Sequence, residues 1–189
     1  MCPTDPAERH RVHAAAFTDL VAGTSDWEAP APVAGWTARD VVDHLVTWLP
    51  GFLAADDVVL QPGPAAATDP AAAWHHHVEA VQVLLDDPAT ATRSFVHPHV
   101  GELPLVDAID RFYTTDVFLH TWDLAKASGQ SVALDEQECE ALLAGMEPID
   151  DLLRSSGQYG PRVPVPDEAS AEDRLVGFIG RDPGWRGAP

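Results

Sequence analysis

Cysteine is nearly missing from this chain: Cys2 and Cys139 are the two among 189 residues. Two thiols cannot form a disulfide framework, and neither lies near the candidate ligands described below, which disfavours a closed, cysteine-rich structural zinc site. Basic residues are scarce as well. Eleven Lys and Arg against thirty Asp and Glu leave a formal charge of −19, a field that repels nucleic acid and anionic membrane surfaces and favours a small-molecule or protein partner. No stretch approaches the roughly 18 uninterrupted apolar residues needed to span a bilayer. The opening residues, Met1 to His10, put acids and prolines where a secretory signal has a basic start and an apolar core. The expectation is a cytoplasmic, reduced protein. Internal repeats are lacking, and the low-complexity Ala/Pro runs read as loops.

What the chain does have is helical periodicity, over a length that predicts one domain spanning 1–189. A first helix is expected from Asp5 to Val21 with Val12, Ala16, Phe17 and Leu20 facing inward, ended by Gly23-Thr24-Ser25. Thr37 and Asp40 have capping-box spacing and open a second helix, whose stripe Val41, Leu45, Trp48 and Leu49 stops near Pro50-Gly51. His44 lies on the border of that stripe and can point inward. Thr68-Asp69-Pro70 opens a third helix, with Trp74, Val78, Val81 and Leu85 buried, that ends at Asp86-Asp87-Pro88. Residues 93–103 read as a short hairpin or extended arm. A long fourth helix follows from Leu105 to Ser128, with Gly129 after it. A fifth runs from Asp135 to Ser156 and is kinked or divided by Pro148. An extended tail, Tyr159 to Pro166, leads to Ser170 and Asp173, again at capping-box spacing, and a short last helix from Leu175 to Ile179. The expected fold is all-α: a four-helix bundle, with the arm between helices 3 and 4 and extra C-terminal helices. The tryptophans, Trp36 and Trp48 among them, read as core or junction anchors.

One face of the fourth helix breaks the apolar pattern. Steps of three and four from Leu105 give Ile109, Phe112, Asp116, His120, Asp123 and Ala127, so three ionisable groups stand where leucines are expected. Burying an unpaired charge costs several kcal/mol or more, and a metal or a tight hydrogen-bond network is the usual compensation. An Asp-x-x-x-His pair, with one histidine from a facing helix, would give a divalent transition metal three protein ligands and leave positions open. A buried Asp–His hydrogen bond without metal is the competing reading.

The segments Gly35-Trp-Thr-Ala-Arg-Asp-Val-Val-Asp-His44-Leu45 and Asp116-Val-Phe-Leu-His120-Thr-Trp-Asp123-Leu-Ala125 resemble the two signature helices of the DinB-like metal-binding superfamily. More narrowly, they resemble its actinobacterial branch related to the N-terminal domain of mycothiol-dependent maleylpyruvate isomerase. The ending from Asp173 to Trp185 is similar to stand-alone members of that branch. The resemblance implies a DinB-like bundle with His44, Asp116 and His120 as ligands of a divalent metal, usually zinc. It implies mycothiol or another low-molecular-weight thiol as cofactor in a transferase or isomerase acting on a small molecule, and it leaves a homodimer open. Aspartate stands where the family pattern more often has glutamate. The isomerase itself has a further C-terminal domain for which this chain has no room, which turns the expectation away from that particular reaction. A metal-dependent hydrolase and a non-catalytic metal- or small-ligand-binding protein are the alternatives, the latter expected to cap its metal with a fourth ligand such as His97 or His99. Asp123 would hold a ligand imidazole by its free N–H, and Tyr113 would orient a ligand or substrate.

Other conspicuous residues have plainer readings. Asp40 reads as a capping carboxylate. His75, His76 and His77 point about 100° apart on a helix and cannot converge on one ion, so they read as a solvated first turn. His97 and His99 read as loop histidines.

Overall fold

The computed structural model describes residues 3–187; Met1, Cys2, Ala188 and Pro189 lie outside the described residues, and with them the reading of Cys2 as a reduced thiol. Asp–Pro pairs start three of the helices. Asp5 accepts the Glu8 N–H ahead of α1 (Pro6–Gly23), Asp69 accepts the Ala72 N–H ahead of α3 (Pro70–Asp86), and Asp87 accepts the Ala89 N–H ahead of the short α4 (Pro88–Ala91). In each the proline occupies a first-turn position that needs no N–H. The third pair, expected only to end a helix, also starts one by its capping action.

The capping box at Thr37 and Asp40 is formed, and α2 (Ala38–Leu53) begins there. It runs past Pro50 to Leu53, beyond the expected stop. The proline deletes one backbone hydrogen bond, but Leu49 and Leu53 are fully buried and Phe52 packs on Phe95 and Phe112, so the last turn is held by packing. A 3-10 turn at Ala54–Asp56 then closes it. The arm is a hairpin of β1 (Ser94–His97) and β2 (Gly101–Pro104), antiparallel with Ser94 opposite Pro104 and His97 opposite Gly101. Pro98 sits in its turn.

The long fourth helix forms in three pieces: α5 (Leu105–Ala108), a π-helical turn at Ile109–Thr114, and α6 (Thr115–Ala127). Every residue from Val117 to Ala125 is buried, so α6 is a central helix enclosed all round. Val117, Leu124 and Ala125 belong to a core built with α1, α2, α3 and the hairpin. Phe118, Leu119 and Trp122 belong to a second cluster with α7 (Glu136–Met146) and α9 (Ala171–Phe178). Pro148 divides the fifth expected helix, putting a 3-10 turn at Glu147–Ile149 between α7 and α8 (Asp150–Ser155). The last helix starts at its Ser170 cap, ahead of the apolar run that marked it in sequence.

The first helix presents a different face from the expected one. Val12 is 47% exposed and Ala16 is exposed, while His10, His13, Ala14, Phe17, Leu20 and Val21 point inward. Buried partners reverse the hydropathy ranking there. His10 Nδ1 lies 2.9 Å from Gln82 Oε1, and His13 Nε2 lies 3.0 Å from Glu138 Oε1. Arg9, beside them, bridges Asp110 on the π turn, at 2.7 Å, and Glu138 on α7.

Candidate metal centre

The α2 capping box fixes the start of the helix, and His44, nearly two turns after Thr37, emerges beside the first two turns of α6. There His44, Asp116 and His120 each present a ligand atom, all within 4.8 Å of one another. His44 Nε2 lies 2.9 Å from Asp116 Oδ2, and His120 Nε2 lies 3.5 Å from Asp116 Oδ1. The His120 side chain is 5% exposed against 32% for His44 and 22% for Asp116, so the cluster opens on the His44 side. Burial alone would raise the Asp116 carboxyl; the imidazoles of His120 and His44, with the indole N–H of Trp48, overturn that and hold it below the ordinary carboxylate value.

Asp123, on the same stripe, meets the other side of the His120 ring. Its Oδ2 lies 2.8 Å from His120 Nδ1. A fully buried carboxylate here is placed to accept the Nδ1–H, and Nε2 is turned towards Asp116. Burial would raise Asp123 too, but the His120 hydrogen bond and the charge of Arg181 bring it down. Tyr113 is fully buried, its ring against Trp48, His77 and His10, and its hydroxyl makes no hydrogen bond to a described residue.

Three further residues take part that the stripe on the fourth helix does not include. Trp48 Nε1 donates to Asp116 Oδ2 at 2.9 Å; its place four residues after His44 was the available signal. Trp36 stacks on His120 at 5.7 Å and 18°, and its ring lies 5.1 Å from that of His44. Arg181 reaches Asp123 across 58 positions, with no local pattern to announce it. Of the three consecutive histidines, His75 is exposed, but His77 is buried against Tyr113 and departs from the solvated-turn reading. The π turn brings Tyr113 onto the inner face of α3, where His77 is the neighbour. The His97 ring lies 4.6 Å from that of Phe52 and 5.6 Å from that of His99, both tilted, and neither histidine joins the cluster.

Residues 10–125 match the family described as the mycothiol maleylpyruvate isomerase N-terminal domain. The span contains all three clustered residues and Asp123. Along nearly its whole length the chain is also similar to uncharacterized proteins of two Mycobacterium tuberculosis strains, CDC 1551 / Oshkosh and ATCC 25618 / H37Rv. Each is 33% identical over 184 residues, covering 94% of this chain and 98% of the relative. No solved structure matches the chain. No described helix is long and apolar enough to cross a membrane.

Proposed function

This chain belongs to the mycothiol maleylpyruvate isomerase N-terminal domain family, an all-α, DinB-like, metal-binding family, and on that premise we propose that it is a zinc-dependent enzyme joining a mycothiol-type thiol to a small-molecule substrate, by transfer or isomerisation. The observation that carries the proposal is the donor set. Two imidazoles and one carboxylate converge within 4.8 Å, and the His120–Asp123 bond leaves the correct nitrogen of His120 free to ligate. That set suits zinc, and three protein ligands leave coordination for a reactant. Zinc held this way would keep a net charge of about +1 and bring the pKa of a coordinated thiol or water towards neutrality.

The remaining roles belong to the chain. His44 and Asp116, the partly exposed members, face the side from which reactants arrive. Trp36 covers one face of His120 and keeps water from it. Trp48 holds the Asp116 oxygen shared with His44. On this reading the sulfur is a diffusible thiol. Among the described residues the free cysteine is Cys139, and burial, with the surrounding Glu172, Glu136, Glu138 and Asp135, pushes its thiol up to about 12.

Metal analysis of the purified protein beside His44→Ala and Asp116→Ala tests the ligand set. One bound zinc per chain, lost in both variants, is expected; unchanged metal content in both sinks it. Incubation of zinc-loaded protein with mycothiol and electrophilic substrates, followed by mass spectrometry, tests the chemistry, and adduct formation no faster than without protein returns the chain to a non-catalytic role.

A further inference from the structure

Arg181 lies outside the matched span 10–125, yet it is part of the hydrogen-bond chain that ends at His120. Its position follows from the way α9 stops. Gly180 takes φ +90, its N–H bonds to Gly177 O at 3.1 Å, and the Arg181 N–H bonds to Val176 O at 3.0 Å. This paired pattern terminates helices with glycine in the left-handed region. A side chain at 180 would also meet the Gly160 backbone at 3.0 Å. The turn is clamped from outside, because the Val163 N–H bonds to Gly177 O at 2.9 Å, and a Cβ on Gly177 would come within 2.3 Å of the Val165 side chain.

So held, Arg181 points back at α6. Nη1 donates to Ile179 O at 3.0 Å, Nη2 to Asp123 Oδ2 at 3.0 Å, and Nε towards Asp123 Oδ1 at 3.3 Å. The Arg181 side chain is 11% exposed and that of Asp123 is 1% exposed. A carboxylate this deep is held by geometry on both sides: a two-pronged guanidinium fixes its plane, and the fixed plane aligns Oδ2 on the Nδ1–H of His120. The orientation of His120 Nε2 is therefore set, two bonds away, by the turn that closes α9.

We propose that Arg181 is a positioning residue for the metal centre, and that through Asp123 it couples metal binding to the docking of the C-terminal segment on α6. The inference rests on the metal reading given under the proposed function. Coupling is reciprocal: the docked segment tightens metal binding, and bound metal holds the segment down.

The test titrates zinc into metal-free wild type, His44→Ala, Arg181→Leu and Arg181→Lys against a competing chelator. It also records cobalt absorption spectra and amide hydrogen exchange in α9 with and without zinc. Partners that hold a ligand imidazole are worth about 10–100-fold in metal affinity; for Arg181→Leu, one contact further out, about a 10-fold loss is expected. Arg181→Lys, which keeps the charge and loses the fork, should recover part of it. The cobalt spectrum should change in Arg181→Leu, and zinc should slow exchange in α9 of wild type but not of that variant. Wild-type zinc affinity and cobalt spectrum in both Arg181 variants, with zinc binding lost in His44→Ala, overturn the inference and leave the metal site standing. Failure of wild type to bind zinc overturns the metal reading and the inference with it. If Arg181→Leu does not fold, Arg181→Lys decides: an altered cobalt spectrum with weaker zinc supports the role, and unaltered values overturn it.

Discussion

His120 and His77 are both buried histidines on long helices, and their ring nitrogens meet opposite surroundings. His120 sits between two carboxylates, Asp123 at 2.8 Å on one nitrogen and Asp116 at 3.5 Å on the other. His77 sits beside Tyr113 and near His10, and its Nε2, the His10 Nε2 and the Tyr113 hydroxyl are buried without hydrogen-bond partners among the described residues. The His10 tautomer follows from its neighbour. Gln82 gives its NH₂ to Ala7 O and Asp86, so its oxygen faces His10 Nδ1, which carries the proton and leaves Nε2 bare. Burial lowers both His10 and His77 to about 4. The contrast teaches that burial alone makes a histidine neutral, whereas a carboxylate on one ring nitrogen orients the ring and turns the other nitrogen towards a place where a cation can sit.

The largest way to break this contrast is acid. The unfolded chain takes up protons on His10 and His77 near pH 6.5, while the folded chain resists until about 4. The unfolded state thus holds more protons between those values, and stability falls as pH drops across that window, by about 3 kcal/mol per histidine. Asp116 and Asp123 behave differently. Their carboxyls are held below the ordinary value, so their contribution is intact above about pH 4 and lost only as pH falls through their lower folded values. Urea unfolding of the metal-free protein across this range should show two windows, and a single loss confined to the lower one would erase the distinction.

Next in size is Asp116→Ala, expected to weaken zinc binding by more than about 100-fold, beyond the range for outer partners; chelator competition measures it. Tyr113→Phe should do the reverse of damage. Removing a buried hydroxyl that has no partner among the described residues should raise stability by about 1 kcal/mol and leave zinc affinity unchanged, whereas a loss of stability or of affinity would assign the hydroxyl a role at one cluster or the other. Thr37→Ala is the mildest. Loss of the α2 cap should cost about 1 kcal/mol in thermal or urea unfolding, with zinc affinity retained because His44 lies nearly two turns further along.

Legibility in the sequence followed distance along the chain. Asp116, His120 and Asp123 could be read together because steps of four and three keep them on one helix face. The capping box at Thr37 and Asp40 and the break at Pro148 are equally local, and both appear where the pattern put them. The first helix departs from its own hydropathy: Val12 outranks His10 and His13, yet the histidines go inside, because Gln82 and Glu138 meet them there from other helices. The π turn was equally hidden. It re-registers Tyr113 and Thr114 without interrupting the apolar periodicity on either side.

By itself, then, the sequence determined the helical elements, most of their starts, and the carboxylate–imidazole stripe on α6, because caps and faces depend on residues within a turn or two. The family pattern added His44 to that stripe. Only the tertiary structure decided that Trp48 shares the Asp116 oxygen, that Trp36 lies over His120, and that Arg181 closes the chain of contacts through Asp123. Those choices come from packing one helix against another and from the turn after α9, and no periodicity along the chain encodes which distant side chain will arrive.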